Sequence, residues 1–298
     1  MNNTIKAHLA LLFANFIYGA NYTIAKGVMP TYIEPFGFIL IRIIGAVFLF
    51  WIVHFFISNE QIERKDFKRI AVCGLFGVAA NQLMFFKGLN ITTPINAGIM
   101  MTSNPILVLI AASFILKESL TKNKIIGIAL GLIGAITLIL FQGNMQFGST
   151  TIWGDVFVLM NSLSYGIYLV GVTPLMKKYQ PLTVIKWVFL FGLLYTIPFG
   201  ISEFQKVNWV EMPIEIIFSV LFVIIFTTFF TYLLNIFALK IVSPTVASTY
   251  IYLQPFVAAL FALWLGKDTI DSVKIFSACL IFIGVYLVSK PAHNSFNK

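Results

Sequence analysis

Charge is scarce in this sequence of 298 residues: 10% are Asp, Glu, Lys or Arg, against roughly a quarter in ordinary soluble domains. Beside a hydrophobic share of 59%, that shortage excludes a soluble globular protein. The formal charge of +9 does not point to nucleic acid, because Lys and Arg punctuate apolar runs instead of gathering on one face. Cysteine is nearly absent too. Cys73 and Cys279 both fall in apolar segments without a CxxC spacing, so they say nothing of redox compartment and read as packing residues. His8, His54 and His293 are scattered, with no HExxH, which argues against an intramembrane metalloenzyme. No GxxxxGK[ST] occurs, so no ATP hydrolysis is expected and no ATPase partner is required.

Long apolar runs are what the chain does have. Reading for stretches of roughly 18 or more residues gives ten: His8 to Val28, Phe36 to Ile57, Arg69 to Gly88, Thr92 to Leu116, Lys124 to Phe141, Ile152 to Met176, Leu182 to Ile201, Pro213 to Ala238, Pro244 to Gly266 and Val273 to Ser289. At about 20 residues per spanning helix, ten use roughly 200 and leave no room for a separate soluble domain. The first run follows Lys6 but carries Asn15 and Asn21 and lacks a small-x-small cleavage site, so it reads as a span and not a signal peptide. Alternate connections differ in basic residues. Thirteen fall in the set holding Lys6, Arg64, Lys117, Lys177, Lys240 and Lys290, and five in the set holding Lys26, Lys87, Lys206, Lys267 and Lys274. Because positive loops are retained in the cytoplasm, both termini are expected inside, in a bacterial-type cytoplasmic membrane.

The chain also repeats itself. At an offset of 150, Pro94 falls on Pro244, Ala97 on Ala247, Pro105 on Pro255, Lys117 on Lys267, Lys124 on Lys274 and Gly134 on Gly284; earlier in each half the offset drifts to 147, pairing Tyr18-Gly19 with Tyr165-Gly166. The second and seventh segments align poorly. Each half, 1–146 and 147–298, holds five spans. An odd number forces the second copy into the membrane upside down, which is the inverted repeat that sets a midplane site between two halves.

Two stretches carry a family pattern: Leu116-Lys117-Glu118-Ser119-Leu120-Thr121 followed by Gly127 and Gly134, and Leu265-Gly266-Lys267-Asp268 followed by Gly284. With the prolines before them and the five-plus-five repeat, they resemble the drug/metabolite transporter superfamily in its ten-helix EamA-type branch. The resemblance spans nearly the whole chain. It implies an all-α bundle of ten transmembrane helices, a central cavity between the halves, and movement of small solutes. Asp268 stands where Glu is usual, and Lys117 replaces the commoner Gly.

Polar groups inside hydrocarbon cost several kcal/mol when unsatisfied, so they should face protein or a wet cavity. Asn15, Tyr18 and Tyr22 share a face of the first segment; Asn161, Tyr165 and Tyr168 share a face of the sixth, its repeat mate. The third supplies Asn81 and Gln82, and its mate, the eighth, supplies Thr228, Tyr232 and Asn235. The fourth and ninth each carry an amide before a proline, Asn104-Pro105 and Gln254-Pro255, with Tyr250 one turn before Gln254. Proline should bend these helices and supply two hinge points, Pro105 and Pro255. Together the set is expected to wall a substrate cavity. Arg42 lies about two turns into the second segment, roughly 10 Å deep; helix pairing, snorkelling and a cavity role stay open for it. Lys186, one turn from the cytoplasmic edge, is expected to snorkel, and Lys26 and Lys87 to guard the outer mouth.

No Asp or Glu falls mid-span: Glu34, Asp155 and Asp268 are at the outer edge and Glu118 at the inner. A buried carboxylate is the usual proton carrier and cation counter-ion. Its absence disfavours obligatory proton antiport of cationic drugs and suits neutral, zwitterionic or anionic planar solutes. The reading is a secondary transporter or facilitator of small polar or aromatic, amino-acid-like metabolites. It is not an enzyme, needs no cofactor or metal, and has the lipid bilayer, no nucleic acid and at most a weak homodimer as partners. The alternatives are a multidrug exporter and, from another class, an integral-membrane enzyme on lipid head groups. Gly127, Gly131 and Gly134 form a small-residue face expected to pack within the bundle.

Overall fold

Prolines, caps and small residues decide where the helices of this chain start, break and meet. The computed structural model describes residues 2–92, 94–141, 152–264 and 272–290, and all the regular structure among them is helical. Helix α1 (Asn3–Val28) begins five residues before the expected His8, because the Asn2 side chain accepts from the Thr4 N–H at 3.2 Å and caps it. Helix α2 (Pro35–Ile57) opens on proline, whose missing N–H costs nothing at a helix start. Helices α3 (Phe67–Gly74) and α4 (Ala80–Ile91) form one rod through a π-helical stretch, Leu75–Ala79. Helices α5 (Pro94–Met101) and α6 (Asn104–Ile115) are separated by a turn at Thr102 and Ser103, so the segment breaks just before Pro105. Lys117, at φ 55°, ends α6 in the left-handed region where a Cβ is unfavourable and glycine would sit without strain.

The second half repeats the sequence of events. After α7 (Lys122–Phe141) come α8 (Ile152–Met176) and α9 (Pro181–Phe204). Helices α10 (Ile214–Phe222) and α11 (Thr231–Leu239) are again one rod joined by a π stretch, Val223–Phe230. Helix α12 (Pro244–Thr249) passes through a 3-10 turn, Tyr250–Tyr252, into α13 (Leu253–Trp264), and α14 (Ser272–Ser289) closes the described chain. Five runs, Pro35–Ile57, Arg64–Ile91, Ile152–Met176, Pro181–Phe204 and Ile214–Leu239, are each long and apolar enough to cross a membrane. Helix α1 has the length, with its hydropathy diluted by Asn15, Tyr18, Asn21 and Tyr22. Large apolar side chains face outward, Phe55 at 78% and Phe114 at 81% exposure, as lipid-facing residues do. The chain is a multi-pass membrane protein.

Packing follows the repeat. Helix α7 lies along α14, its repeat mate, closely enough that a Cβ on Gly127 would come within 2.6 Å of the Gly284 carbonyl, and one on Gly134 within 2.8 Å of the Ser277 carbonyl. Those two contacts are the same contact read from either repeat, since an offset of 150 carries Gly127 to Ser277 and Gly134 to Gly284. The small-residue face therefore packs inside the bundle. Helices α2 and α9 likewise run together, with Phe50 and Phe189 rings 5.0 Å apart in the core. Asn104 and Gln254 make equivalent links: Asn104 Nδ2 donates to the Ser162 carbonyl at 2.8 Å, and Gln254 Nε2 to Asn15 Oδ1 at 2.9 Å.

Polar contacts tie connections to one another at two ends of the bundle. At one end Glu118 accepts from Lys124 Nζ at 2.9 Å, Ser243 Oγ at 2.6 Å and Thr245 Oγ1 at 2.9 Å, and the Gln180 N–H donates to Glu60. Lys178 and then Tyr179 hydrogen-bond Asp66 and hold its carboxyl below the ordinary range. At the other end Glu203 Oε2 accepts the N–H groups of Phe36 and Gly37, at 2.6 and 2.8 Å, and Thr92 donates to Asp155. Lys186 does not snorkel. It is 6% exposed, with Nζ 3.0 Å from His54 Nδ1 and 4.9 Å above the Trp51 ring, because an imidazole lone pair and two indole faces offer it partners inside. Lys87 is exposed, and the Lys26 side chain, like Asp268 and the 142–151 connection, lies outside the described residues.

Candidate functional site

One cavity stands at the centre of the bundle, where α1, α4, α8 and α11 converge with the broken segments. It measures about 120 Å³ of space open to the centres of water molecules. Its wall is built from Asn15, Tyr18 and Asn21 on α1, Arg42 on α2, Asn81, Gln82, Phe85 and Phe86 on α4, and Met101 at the end of α5. The second half contributes Asn161 and Tyr165 on α8, Thr227 of the π stretch, Tyr232 and Asn235 on α11, and Ala247, Ile251 and Gln254 from the α12 to α13 segment.

Nine of the fourteen residues expected to wall it do so: Asn15, Tyr18, Asn81, Gln82, Asn161, Tyr165, Tyr232, Asn235 and Gln254, with Arg42 beside them, while Thr228 stands behind the wall and accepts from Arg42. Three sit elsewhere. Tyr168 shares a helical face with Tyr165 but is rotated into the core, where its ring covers Gly77 so tightly that a Cβ there would clash at 2.3 Å. Asn104, fully buried, spends its amide on the Ser162 carbonyl and joins α6 to α8. Tyr250 lies nearer the end where α1 begins, its hydroxyl 2.7 Å from His8 Nδ1. The Tyr22 side chain lies outside the described residues.

Sequence reasoning missed the apolar part of the wall, Phe85, Phe86, Met101, Ala247 and Ile251, since apolar residues in an apolar helix carry no signal of their own. Phe85 and Phe86 follow Gln82 by one turn, and that spacing was the only available clue.

The polar groups of the wall are joined across the two halves. Asn161 Nδ2 donates to the Asn81 carbonyl at 2.7 Å and Asn81 Nδ2 returns a longer bond of 3.4 Å to the Asn161 carbonyl. Gln82 Nε2 donates to the Tyr232 hydroxyl at 3.3 Å, and Tyr232 donates to the Gly77 carbonyl at 3.2 Å. Gln82 and Tyr232 stand 150 positions apart, so they are equivalent residues of the two repeats touching each other. The π stretches explain how. Each inserts one residue's worth of rotation into a rod and re-aims the side chains beyond it, and they occur in the third and eighth segments, which are repeat mates. Three side-chain carbonyl oxygens remain unmatched: Asn21 Oδ1, Gln82 Oε1 and Asn161 Oδ1 are buried against the cavity with no hydrogen-bond partner among the described residues. Leaving such acceptors bare costs about 1–3 kcal/mol each. Among the described residues no group of His, Cys, Asp or Glu is placed to hold a metal ion.

Comparison with known proteins bears on this arrangement. The profile of the EamA-like transporter family matches twice, over residues 5–140 and 152–290. A protein of Archaeoglobus fulgidus named "Uncharacterized transporter" is 25% identical over 97% of this chain and 99% of its own length. The Bacillus subtilis "Uncharacterized transporter YyaM" is 26% identical over 96% of this chain and 94% of its own, and the Arabidopsis thaliana "Protein WALLS ARE THIN 1" 23% identical over 95% and 82%. A solved crystal structure superposes with a TM-score of 0.78 over 94% of this chain and 95% of that one at 15% identity, which is a likeness of fold.

Proposed function

The chain belongs to the EamA-like transporter family, and from that premise we propose that it is a secondary transporter or facilitator of small polar or aromatic metabolites, working by alternating access across the cytoplasmic membrane. The reading takes the chain as ten spans in two inverted five-helix repeats, 1–146 and 147–298, with both termini cytoplasmic. It is supported by contacts that recur across the repeat, Gly127 on Gly284 with Gly134 on Ser277, and Asn104 on Ser162 with Gln254 on Asn15. The end-to-end pattern supports it as well. Glu118 joins two connections of the basic set, and Glu203 joins two of the other.

The observation that carries the proposal is the cavity's position and chemistry. It lies between equivalent helices of the two halves, where rocking of one half against the other would expose it to either side in turn. Its rings supply contact area, and its polar side chains would orient a solute's polar groups. The broken segments at Pro105 and Pro255 would serve as hinges, since each interrupts a rod that touches the cavity. Among the described residues no Asp or Glu lines it, which favours a non-cationic solute over a cationic drug.

The test is solute counterflow in proteoliposomes against a panel of amino acids, nucleobases and vitamins, run with no pH gradient. Saturable counterflow of at least one solute is expected, and Tyr18→Ala, Tyr165→Ala or Gln254→Ala should lower it by about tenfold or more with expression nearly unchanged. The lipid-facing change Leu194→Ala should leave it intact. If the three polar variants lose stability but keep flux per folded molecule, these residues are interhelical glue and the site is elsewhere.

A further inference from the structure

A guanidinium does not give up its proton inside a protein, so a buried arginine keeps its charge and needs partners for it. Taking an ion out of water costs several kcal/mol unless other groups replace its hydration. Arg42 is 5% exposed and lines the central cavity. Its partners among the described residues are all neutral. Nε donates to Thr228 Oγ1 at 3.2 Å, and the guanidinium carbon lies 5.6 Å from the centroid of the Phe86 ring. Thr228 Oγ1 in turn donates to the Val223 carbonyl at 2.7 Å, a bond five residues back along the π stretch that leaves its lone pair for Arg42.

Among the described residues, no fixed negative charge faces this cation. No described carboxylate lines the cavity, and the ion pairs of the described residues belong to Glu63, Asp66 and Glu118 on connections at the bundle's end. What the surroundings do supply is orientation. Thr228 holds the Nε edge and the Phe86 ring lies against the guanidinium plane, while the terminal nitrogens Nη1 and Nη2 make no hydrogen bond to any described residue. The free edge of the fork is thus a pair of parallel N–H donors. That edge matches the two oxygens of a carboxylate, as it would those of a phosphate, and the rings of Tyr18, Phe85 and Phe86 beside it suit an organic acid.

We propose that Arg42 anchors the solute in the transport site, and that the solute carries a carboxylate whose charge completes the cavity. This rests on the transport reading above and narrows it to small organic acids and zwitterions. The cavity's tyrosines and phenylalanines then face the rest of the molecule, and a cation of the same shape is rejected by like charge.

The experiment uses the purified full-length protein in detergent at neutral pH. Thermal stabilisation is titrated with matched pairs, benzoate with benzamide, nicotinate with nicotinamide, and L-phenylalanine with its amide, and with inorganic phosphate as the tetrahedral anion. In at least one pair the carboxylate should half-saturate at a concentration about tenfold or more below its amide, because a site built for one hydrogen-bonding partner rejects the analogue that leaves its buried donors bare. Arg42→Gln should erase that difference. Arg42→Lys, which keeps the charge and loses the fork, should narrow it. The wild-type comparison and Arg42→Lys decide the matter even if Arg42→Gln fails to fold. Equal titration of acid and amide, stabilisation by none of the carboxylates, phosphate matching the best carboxylate, or a preference that survives in Arg42→Gln overturns the assignment. Counterflow of the same compounds separates the two readings. Flux of the amides without discrimination leaves a transporter whose anchor is not Arg42, whereas Arg42-dependent binding without flux of any solute leaves the anchor and overturns transport.

Discussion

At the scale of single residues, the difference between lining a cavity and filling a core is a rotation of a few tens of degrees about a helix axis. Tyr165 and Tyr168 stand three positions apart on α8 with rings 5.9 Å apart, yet only the first reaches the cavity. The Tyr168 hydroxyl is buried without a hydrogen-bond partner among the described residues, while the Tyr232 hydroxyl is engaged by both Gln82 and Gly77. Tyr168→Phe should therefore be neutral or slightly stabilising, because it deletes an unmet polar group, and Tyr232→Phe should cost about 1–2 kcal/mol. Melting temperatures of the two variants in the same detergent check this, and equal losses in both would contradict it. The polar wall was legible in the sequence because an amide or phenol in a span has few places to go. Its exceptions were not, since a period of 3.6 residues allows a stripe wide enough to touch cavity and core at once. Leu11 on α1 is fully buried in the core, whereas Leu194 on α9 is exposed, so the lipid-facing control belongs at positions such as Leu194.

At the scale of elements, the starts and breaks were legible wherever proline made them. Pro35, Pro181 and Pro244 open helices, and the segments of Pro105 and Pro255 change character within a turn of the ring. The two π stretches left no trace in the sequence, because no residue type demands them. They arise where tertiary contacts, such as the Tyr168 ring on Gly77 and the Arg42 bond to Thr228, favour a re-aimed rod over a regular one. The cap of α2 was equally hidden. Its two first N–H groups are answered by Glu203, a residue 167 positions away from Phe36, and no local pattern announces a partner so remote. Charge-assisted bonds to a helix start are roughly twice as strong as neutral ones. Glu203→Gln should lower stability by about 1–2 kcal/mol while counterflow per folded molecule holds, and a Glu203→Asp variant should recover part of the loss. A variant with unchanged melting behaviour would show that Glu203 binds α2 without supporting it.

For the molecule as a whole, the count of basic residues and the repeat were the most informative marks, because both are set by physics that acts on the entire chain. Loop charge decides which side a connection stays on, and an odd number of spans per repeat, as proposed above, would invert the second half. Cysteine labelling tests the result. With Cys73 and Cys279 replaced, a cysteine at Asn2 or Asn297 should resist a membrane-impermeant maleimide in intact cells and react once the membrane is opened. A cysteine in the 142–151 connection and one at Glu34 should both react from outside. Labelling of Asn2 from outside would reverse the orientation.

The contact between Gln82 and Tyr232 has a further meaning. If two identical chains faced each other across a two-fold axis, a residue on that axis would meet its own copy, and each side of the pocket would be bound to change in step with the other. Here the same two places belong to one polypeptide and hold an amide and a phenol, two different groups where a two-fold axis would force the same group twice. Joining the halves thus releases the centre of the pocket from symmetry. A pocket so released can grip the head and the tail of a solute differently, and can hold a single guanidinium where a symmetric one would be forced to hold two.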